Sequence, residues 1–180
     1  MKKIVLVAVA ALVSLSAFAQ QGKFAAGVFG SYVTADPGLI GVGAKVQYNV
    51  LDQIRPEASF TYFLKKDNLK SWSADVNVHY IFNLGSVNVY PFAGVNYTYA
   101  KVDFPGVANQ YLDYLDDLDG IDVPAVPTSA SDKKIGANLG CGVEYPLSET
   151  IALAAEVKYT LNKIYNDGSL VLGLGVTYRF

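Results

Sequence analysis

The segment Ile40-Gly-Val-Gly-Ala-Lys-Val-Gln-Tyr-Asn-Val50 alternates between two kinds of side chain. Its even-numbered positions are all apolar, whereas its odd-numbered positions are Gly, Lys, Gln or Asn. Successive side chains of a β-strand point to opposite faces, so this period of two predicts a strand with one apolar and one polar face. Lys45 is expected on the polar face, between Ala44 and Val46 on the apolar face.

Seven further segments show the same alternation, which predicts eight strands in all. Arg55 with Glu57, and Glu156 with Lys158, are two residues apart, so each pair shares one face of its strand. The apolar faces carry no charged residue. The further segments are about 23–32, 54–64, 71–82, 87–99, 135–147, 151–161 and 170–180.

The connections between these strands alternate in length. Short turns on one side and long polar loops on the other are typical of an antiparallel up-and-down transmembrane β-barrel of the outer membrane. An even number of strands places both chain ends at the short-turn end, which is periplasmic in such barrels. The short connections are 51–53, 83–86 and 148–150, and the long ones are 33–39, 65–70, 100–134 and 162–169.

Aromatic residues on the apolar faces cluster at both predicted strand ends, with Ala, Val and Leu between them. Amphipathic rings favour the two membrane interfaces, so this arrangement predicts two aromatic girdles around a lipid-facing belt. The periplasmic girdle is Tyr48, Tyr80, Phe82, Tyr145, Tyr178 and Phe180, and the other is Tyr32, Tyr62, Trp72, Tyr97, Tyr99 and Tyr159. The alternative is a soluble lipocalin-like barrel with the apolar faces turned inward, because periodicity alone does not say which face is inside. The girdles favour the apolar faces outside.

Residues 1–19 have the form of a secretory signal peptide. Lys2 and Lys3 precede an apolar run from Ile4 to about Phe18, and small residues surround the expected cleavage site after Ala19. The run is shorter than the roughly 20 residues needed to span a bilayer, which disfavours a retained anchor. We therefore expect one domain, the barrel of residues 20–180, in the outer membrane of a bacterium, with its loops extracellular.

Composition excludes several functions. The 14 basic and 16 acidic residues give a net charge of −2, which disfavours a nucleic-acid partner. One cysteine and one histidine leave no disulfide, no Cys-based zinc cluster and no multi-His site, so no cofactor or metal is expected. The single cysteine, Cys141, falls on the apolar face and is expected to act as a small hydrophobe.

The last residues, Gly175-Val-Thr-Tyr-Arg-Phe180, resemble the C-terminal signal of small outer-membrane β-barrel proteins of the OmpA/OmpX and opacity-protein type. In that family pattern a glycine is followed by aromatic or apolar residues three and five positions later, and Gly175, Tyr178 and Phe180 match it. Gly173 stands where the family has a polar residue. The resemblance covers residues 20–180 and implies recognition by the barrel-assembly machinery. It implies an adhesin, an envelope-integrity factor or a narrow channel, without choosing among them.

The polar faces place charged side chains inside a barrel that eight strands leave barely wider than its own side chains. Charges in so narrow a lumen must pair or bind water, which predicts an ion-pair plug. Many inward positions are Gly or Ala, which leaves a narrow water-filled channel as the alternative. The expected lumen network is Lys23, Lys45, Arg55, Glu57, Asp75, His79, Glu144, Glu156, Lys158 and Arg179.

An enzyme would have to use His79, the only histidine. Asp75 shares its face but lies roughly 13 Å away along the strand, at about 3.3 Å per residue, so the two cannot form a catalytic dyad. Barrels that modify lipid A act on the outer leaflet, whereas His79 is expected near the periplasmic end. We therefore expect no catalysis, and a lumen histidine bonded to Glu57 or Arg55.

The connection 100–134 is too long for a simple turn and has no basic residue between Asp103 and Asp132. An EF-hand register fails there, because with Gly120 as its sixth position the first falls on Leu115 and the twelfth on Val126. A solvated acidic loop is expected, with contact to an extracellular partner, a cation or lipopolysaccharide as the alternative. The candidate binding residues are Tyr111, Asp113, Tyr114, Asp116, Asp117 and Asp119. The sequence thus favours a structural or surface-interaction role, with a channel as the main rival.

Overall fold

The computed structural model describes residues 22–34, 38–66, 68–103, 129–162, 164 and 168–180. The predicted signal peptide lies outside them. Within this part of the chain, no helix is long and apolar enough to cross a membrane. The strands are β1 Lys23–Val33, β2 Leu39–Asn49, β3 Ile54–Lys66, β4 Leu69–Tyr80, β5 Phe82–Asn83, β6 Asn88–Asp103, β7 Ser129–Pro146, β8 Ile151–Leu161 and β9 Ser169–Arg179.

The strands form one closed antiparallel barrel. β5 continues β4 past Ile81, because both pair with β6, through His79↔Phe92 and Phe82↔Val89. The barrel therefore has eight strand positions around its circumference, one of which is shared by β4 and β5. β9 closes it by pairing with β1 from Ala25↔Arg179 to Val33↔Val171. Closure leaves no open sheet edge, the condition for a sheet to lie in lipid. The all-β, eight-stranded, up-and-down prediction is confirmed.

The two faces of the barrel follow the alternation in the sequence. Val42 and Leu174 are 53% and 71% exposed on the outer surface, while Lys45 and Gln47 are buried inside. The aromatic residues of both predicted girdles lie on the outer surface. At one end Tyr80 packs on Phe82 with ring centroids 4.9 Å apart, and at the other Trp72 packs on Tyr97 at 5.5 Å. Cys141 is also on the outer surface, as the parity predicted.

Two connections at the long-loop end differ from the sequence expectation. β3 and β4 pair as far as Lys66↔Leu69, so both strands extend into the segment 65–70 that the sequence assigned to a loop. Asn68 has φ +62°, a left-handed conformation that Asn tolerates in turns. β6 continues to Asp103 and β7 begins at Ser129, so the hairpin extends beyond the aromatic girdle. Hydrophobicity marked only the lipid-facing part of these strands, because beyond the membrane the pairing needs no apolar face.

Candidate functional site

The candidate site is the barrel interior, where polar side chains from non-adjacent strands meet. At its centre, Lys45 Nζ donates to Glu156 Oε1 at 2.6 Å and lies 3.2 Å from Glu57 Oε2. Gln47 donates to Glu57 at 2.7 Å, and the Tyr90 hydroxyl donates to Glu156 at 2.9 Å. β2 and β8 are separated by β1 and β9, so the Lys45–Glu156 bond crosses the lumen. We call these five residues the central cluster.

A second group, the turn-end cluster, lies toward the short turns and is organised by Glu144. This carboxylate is 1% exposed and accepts hydrogen bonds from Arg55 Nη1 at 2.8 Å, from Arg179 Nη2 and from Asn88 Nδ2 at 3.1 Å. The three donors come from β3, β9 and β6. A buried carboxylate held by two guanidinium groups is paired and hydrogen-bonded, which offsets the cost of removing it from water.

A third group, the amide cluster, lies toward the long loops. Asp75 Oδ1 accepts from Asn96 and Asn138, each at 2.7 Å, and Lys158 Nζ lies 3.2 Å from Asp75 Oδ2. Further amide and hydroxyl bonds extend the group: Asn138 to Asn77, Thr160 to Asn138, Thr98 to Asn96, and Asn162 to both Asn96 and Thr98. Above it, apolar side chains pack together at the long-loop end of the interior: Val33, Leu39 and Phe63, with Leu69 and Val171.

His79 is fully buried between the central and turn-end clusters. Its ring stacks on Tyr90 with centroids 4.9 Å apart and an interplanar angle of 8°, and Phe92 lies at 5.0 Å. Nδ1 is 3.5 Å from Arg55 Nη2, and Nε2 is 3.8 Å from Glu57, which is longer than a hydrogen bond. These are the two neighbours that the sequence suggested. In the described part of the chain, the ring has no solvent-exposed surface.

Several inward glycines face aromatic rings, among them Gly43, Gly140 and Gly142. A Cβ placed on Gly142 would lie 2.5 Å from the Tyr90 ring, and one on Gly140 would lie 2.5 Å from the Phe92 ring. These glycines are the cross-strand partners of those two residues. Phe29 likewise pairs with Gly43 and Gly175. The sequence argument that small inward residues leave open space is wrong at these positions, because each gap holds a ring from the next strand.

Among the described residues, one cavity lies on each side of the central cluster: one inside the barrel and one at its open turn end. A small one of about 50 Å³ lies on the long-loop side, between Glu57, Lys158, Thr160 and Gly173. This volume holds a few water molecules, at roughly 10–15 Å³ each. A larger one of about 610 Å³ lies at the short-turn end, above Arg55, Glu144 and Arg179. The central cluster and its rings therefore separate two polar spaces.

The structure brings the sequence-predicted lumen charges together in these three clusters. The exception is Lys23, whose side chain lies outside the described residues. So do the loop residues Tyr111, Asp113, Tyr114, Asp116, Asp117 and Asp119. Asp75 and His79 belong to separate groups. Sequence reasoning missed Phe29, Tyr90, Phe92 and the asparagines; the signal available was a large inward residue opposite a glycine, which is readable only once the register is known.

The described part of the chain contains no group of three or more His, Cys, Asp or Glu side chains arranged to hold a metal ion. The charges inside instead pair with one another across the lumen. Together with the apolar outer surface and the two girdles, this defines a β-barrel that spans a membrane and whose inward charges pair with one another.

The chain belongs to the outer membrane protein beta-barrel domain family, whose sequence profile matches residues 5–180. Its fold is similar to that of Neisserial surface protein A, with 16% identity, a TM-score of 0.63, and coverage of 89% of this chain and 98% of that one. The fold is also similar to that of Ail, the attachment invasion locus protein of Yersinia pestis, with 18% identity, a TM-score of 0.54, and coverage of 89% of this chain and 100% of that one. The fold is likewise similar to that of OprG from Pseudomonas aeruginosa, with 15% identity, a TM-score of 0.55, and coverage of 89% of this chain and 96% of that one. No curated protein matches significantly by sequence.

Proposed function

We propose that the protein is a closed-lumen barrel of the bacterial outer membrane that presents its long loops to the outside, in a surface-interaction or envelope-integrity role without catalysis. In this orientation the short turns and both ends of the mature chain are periplasmic. Secretion would depend on the signal peptide of residues 1–19. The observation that carries the proposal is the central cluster, whose cross-lumen ion pairs and packed rings occupy the passage between the two cavities.

The ion pairs favour a plug because opening them is costly. A buried charge that loses its partner costs about 3–5 kcal/mol. Lys45 contacts two carboxylates that lie on different strands, so passage of a solute would have to separate both contacts at once. Tyr90 and Phe92 occupy the space that Gly142 and Gly140 leave, so the rings would have to move as well.

The surface role is supported by the β6–β7 hairpin. This hairpin extends past the girdle to the pair Asp103↔Ser129, the two residues that flank the acidic segment 104–128 in the sequence. Tyr111, Asp113, Tyr114, Asp116, Asp117 and Asp119 remain the candidate contacts for an extracellular partner. Outer-leaflet lipopolysaccharide is the second proposed partner. The barrel-assembly machinery is the third, through Gly175, Tyr178 and Phe180; Tyr178 and Phe180 pack on each other at 5.2 Å on the outer surface.

A narrow channel is the second candidate function. The two cavities favour it, because they leave only the central cluster and the rings beside it to be displaced. The matching test is conductance in a planar bilayer. The wild-type protein is expected to show no stable unitary conductance, whereas Tyr90→Ala/Phe92→Ala, which empties the space over two glycines, is expected to conduct. Tyr145→Ala removes a similar ring from the lipid-facing surface and should stay silent.

Stable unitary conductance from the wild-type protein would contradict the closed lumen and favour the channel function. The surface role is tested by replacing residues 104–128 with a short turn between Asp103 and Ser129, which form a cross-strand pair. The barrel should stay folded while adhesion of the bacteria to host cells is lost. Retained adhesion, with a defect in envelope stress tests on gene deletion, would move the role to envelope integrity. A changed lipid A profile on deletion would contradict the absence of catalysis.

A further inference from the structure

Among the side chains that the structure describes, a group of charged residues lies on the outer surface beyond the long-loop girdle, on β4, β6 and β7. Lys70 on β4, Lys101 and Asp103 on β6, and Lys133 on β7 continue the lipid-facing parity of their strands. The side chains of Lys70 and Lys101 are 50% and 38% exposed. Elsewhere, the described outward side chains at this end are uncharged: Tyr32, Thr34, Ile40, Leu64, Leu161 and Leu170.

The register places these lysines side by side. Lys70 is the direct cross-strand partner of Lys101, and Lys133 is the partner of Tyr99, two residues below the pair Lys101↔Ser131. Directly opposed like charges on one face repel. Asp103 relieves part of this, because it accepts a hydrogen bond from Lys70 at 2.8 Å and lies 3.5 Å from Lys101. Three lysines and one aspartate leave a surplus of positive charge.

The surplus persists at neutral pH. Above the membrane, the hydrogen bond from Lys70 holds the pKa of Asp103 below its usual value, so the carboxylate stays ionised and cannot neutralise more than one lysine. The nearby Lys134 points with the opposite parity and pairs with Asp132 at 3.3 Å. Among the described side chains, the outward surplus therefore has only the Asp103 carboxylate as its counter-charge.

An aromatic platform lies directly below the lysines. Trp72 is the cross-strand partner of Tyr99 and packs on Phe60, Tyr97 and Tyr99 with centroids 5.5, 5.5 and 5.9 Å away. Lys70 precedes Trp72 by two residues on β4 and lies roughly 7 Å nearer the long-loop end of the strand. Rings of this kind favour the headgroup level of a bilayer, so the lysines lie where lipid phosphates lie.

We propose that Lys70, Lys101 and Lys133, above the Trp72 platform, form a binding site for the phosphorylated sugar headgroup of an outer-leaflet glycolipid, with one phosphate bridging Lys70 and Lys101. The proposal rests on the proposed orientation, in which the long loops are extracellular. The phosphate replaces the repulsion between the two opposed ammonium groups with attraction to both. The rings pack against the sugar and the first part of the acyl chains.

The test compares binding of phosphorylated lipid A and dephosphorylated lipid A to the purified, refolded full chain in detergent micelles, by native mass spectrometry. Each lysine near an anionic lipid surface is expected to contribute about fivefold, so Lys70→Gln/Lys101→Gln/Lys133→Gln should weaken binding of phosphorylated lipid A on the order of a hundredfold. The matched pair is Lys133→Gln against Lys134→Gln, adjacent residues of opposite parity, of which only the first should weaken binding. Heat-modified gel mobility verifies that each variant is folded.

Equal binding of the triple variant and the wild type would overturn the site, and so would equal binding of the two lipids by the wild type. Displacement of lipid A by millimolar inorganic phosphate would show an unspecific phosphate site and would overturn the lipid assignment. The orientation is tested separately, by labelling Thr34→Cys in intact cells with a membrane-impermeant maleimide, in a Cys141→Ala background. Thr34→Cys is expected to be labelled. If it is not labelled while lipid A binding is intact, the proposed orientation is wrong but the three lysines still form an anion-binding site.

Discussion

Replacing Glu144 by Gln is expected to destabilise the barrel more than any other single charge removal at its turn end. The change keeps the shape of the side chain but removes the one carboxylate that Arg55 and Arg179 share. The Arg55 side chain is 5% exposed, so its guanidinium is left buried beside a neutral amide. Removing one partner of a buried ion pair costs about 3–5 kcal/mol. Arg179 is partly exposed and keeps some hydration, which favours the lower half of that range.

The assay is urea-induced unfolding from lipid vesicles, followed by the fluorescence of Trp72, the only tryptophan, which lies on the lipid-facing surface. A loss of about 3 kcal/mol corresponds to roughly a hundredfold change in the unfolding equilibrium. Glu149→Gln is the matched control, because Glu149 lies exposed in the turn between β7 and β8. Adding Arg55→Met to Glu144→Gln should restore much of the stability, since no fully buried unpaired cation then remains.

If Glu144→Gln unfolds within about 0.5 kcal/mol of the Glu149→Gln control, the buried pairing is not what holds this end of the interior together. If Glu144→Gln/Arg55→Met is no more stable than Glu144→Gln, the lost stability comes from altered side-chain packing or from the lost Asn88–Glu144 hydrogen bond. Either result would show that the ion pairs of Glu144 do not stabilise the turn-end cluster.

Three further predictions use other parts of the barrel. Gly142→Val should destabilise it by about 1–3 kcal/mol through the clash with the Tyr90 ring, and Tyr90→Ala should relieve that loss; equal loss in both backgrounds would show that the ring is not the cause. In a Cys141→Ala background in vesicles, Val42→Cys should resist a water-soluble maleimide and Glu149→Cys should react; ready labelling of Val42→Cys would invert the assignment of inside and outside. Lys70→Gln should raise the pKa of Asp103 toward its usual value, as measured by NMR titration. In the wild type, the Lys70–Asp103 contact is therefore complete above the usual pKa of an aspartate and is lost as the pH falls through the lowered pKa of Asp103. An unchanged titration midpoint in the variant would mean that Lys70 does not lower this pKa.

The sequence by itself determined the apolar and polar faces of the strands, the number of strands around the barrel and the two aromatic girdles. The physical reason is local: a strand alternates its side chains whatever it pairs with, so Val42 and Lys45 fall on opposite faces as soon as the segment is extended. The same logic failed at residues 65–70 and at Ala100–Asp103. There the strands continue above the membrane and show no apolar face, although their backbone pairing continues.

Only the tertiary structure decided which inward charges meet and whether the lumen is filled. Lys45 and Glu156 are 111 residues apart in the chain, and Arg55 and Glu144 are 89 apart. Parity places all four inside, but their pairing depends on register and on closure of β1 against β9, which no single strand encodes. The same holds for Tyr90 and Gly142: a glycine read in isolation suggests open space, and only its cross-strand partner shows that a ring fills it.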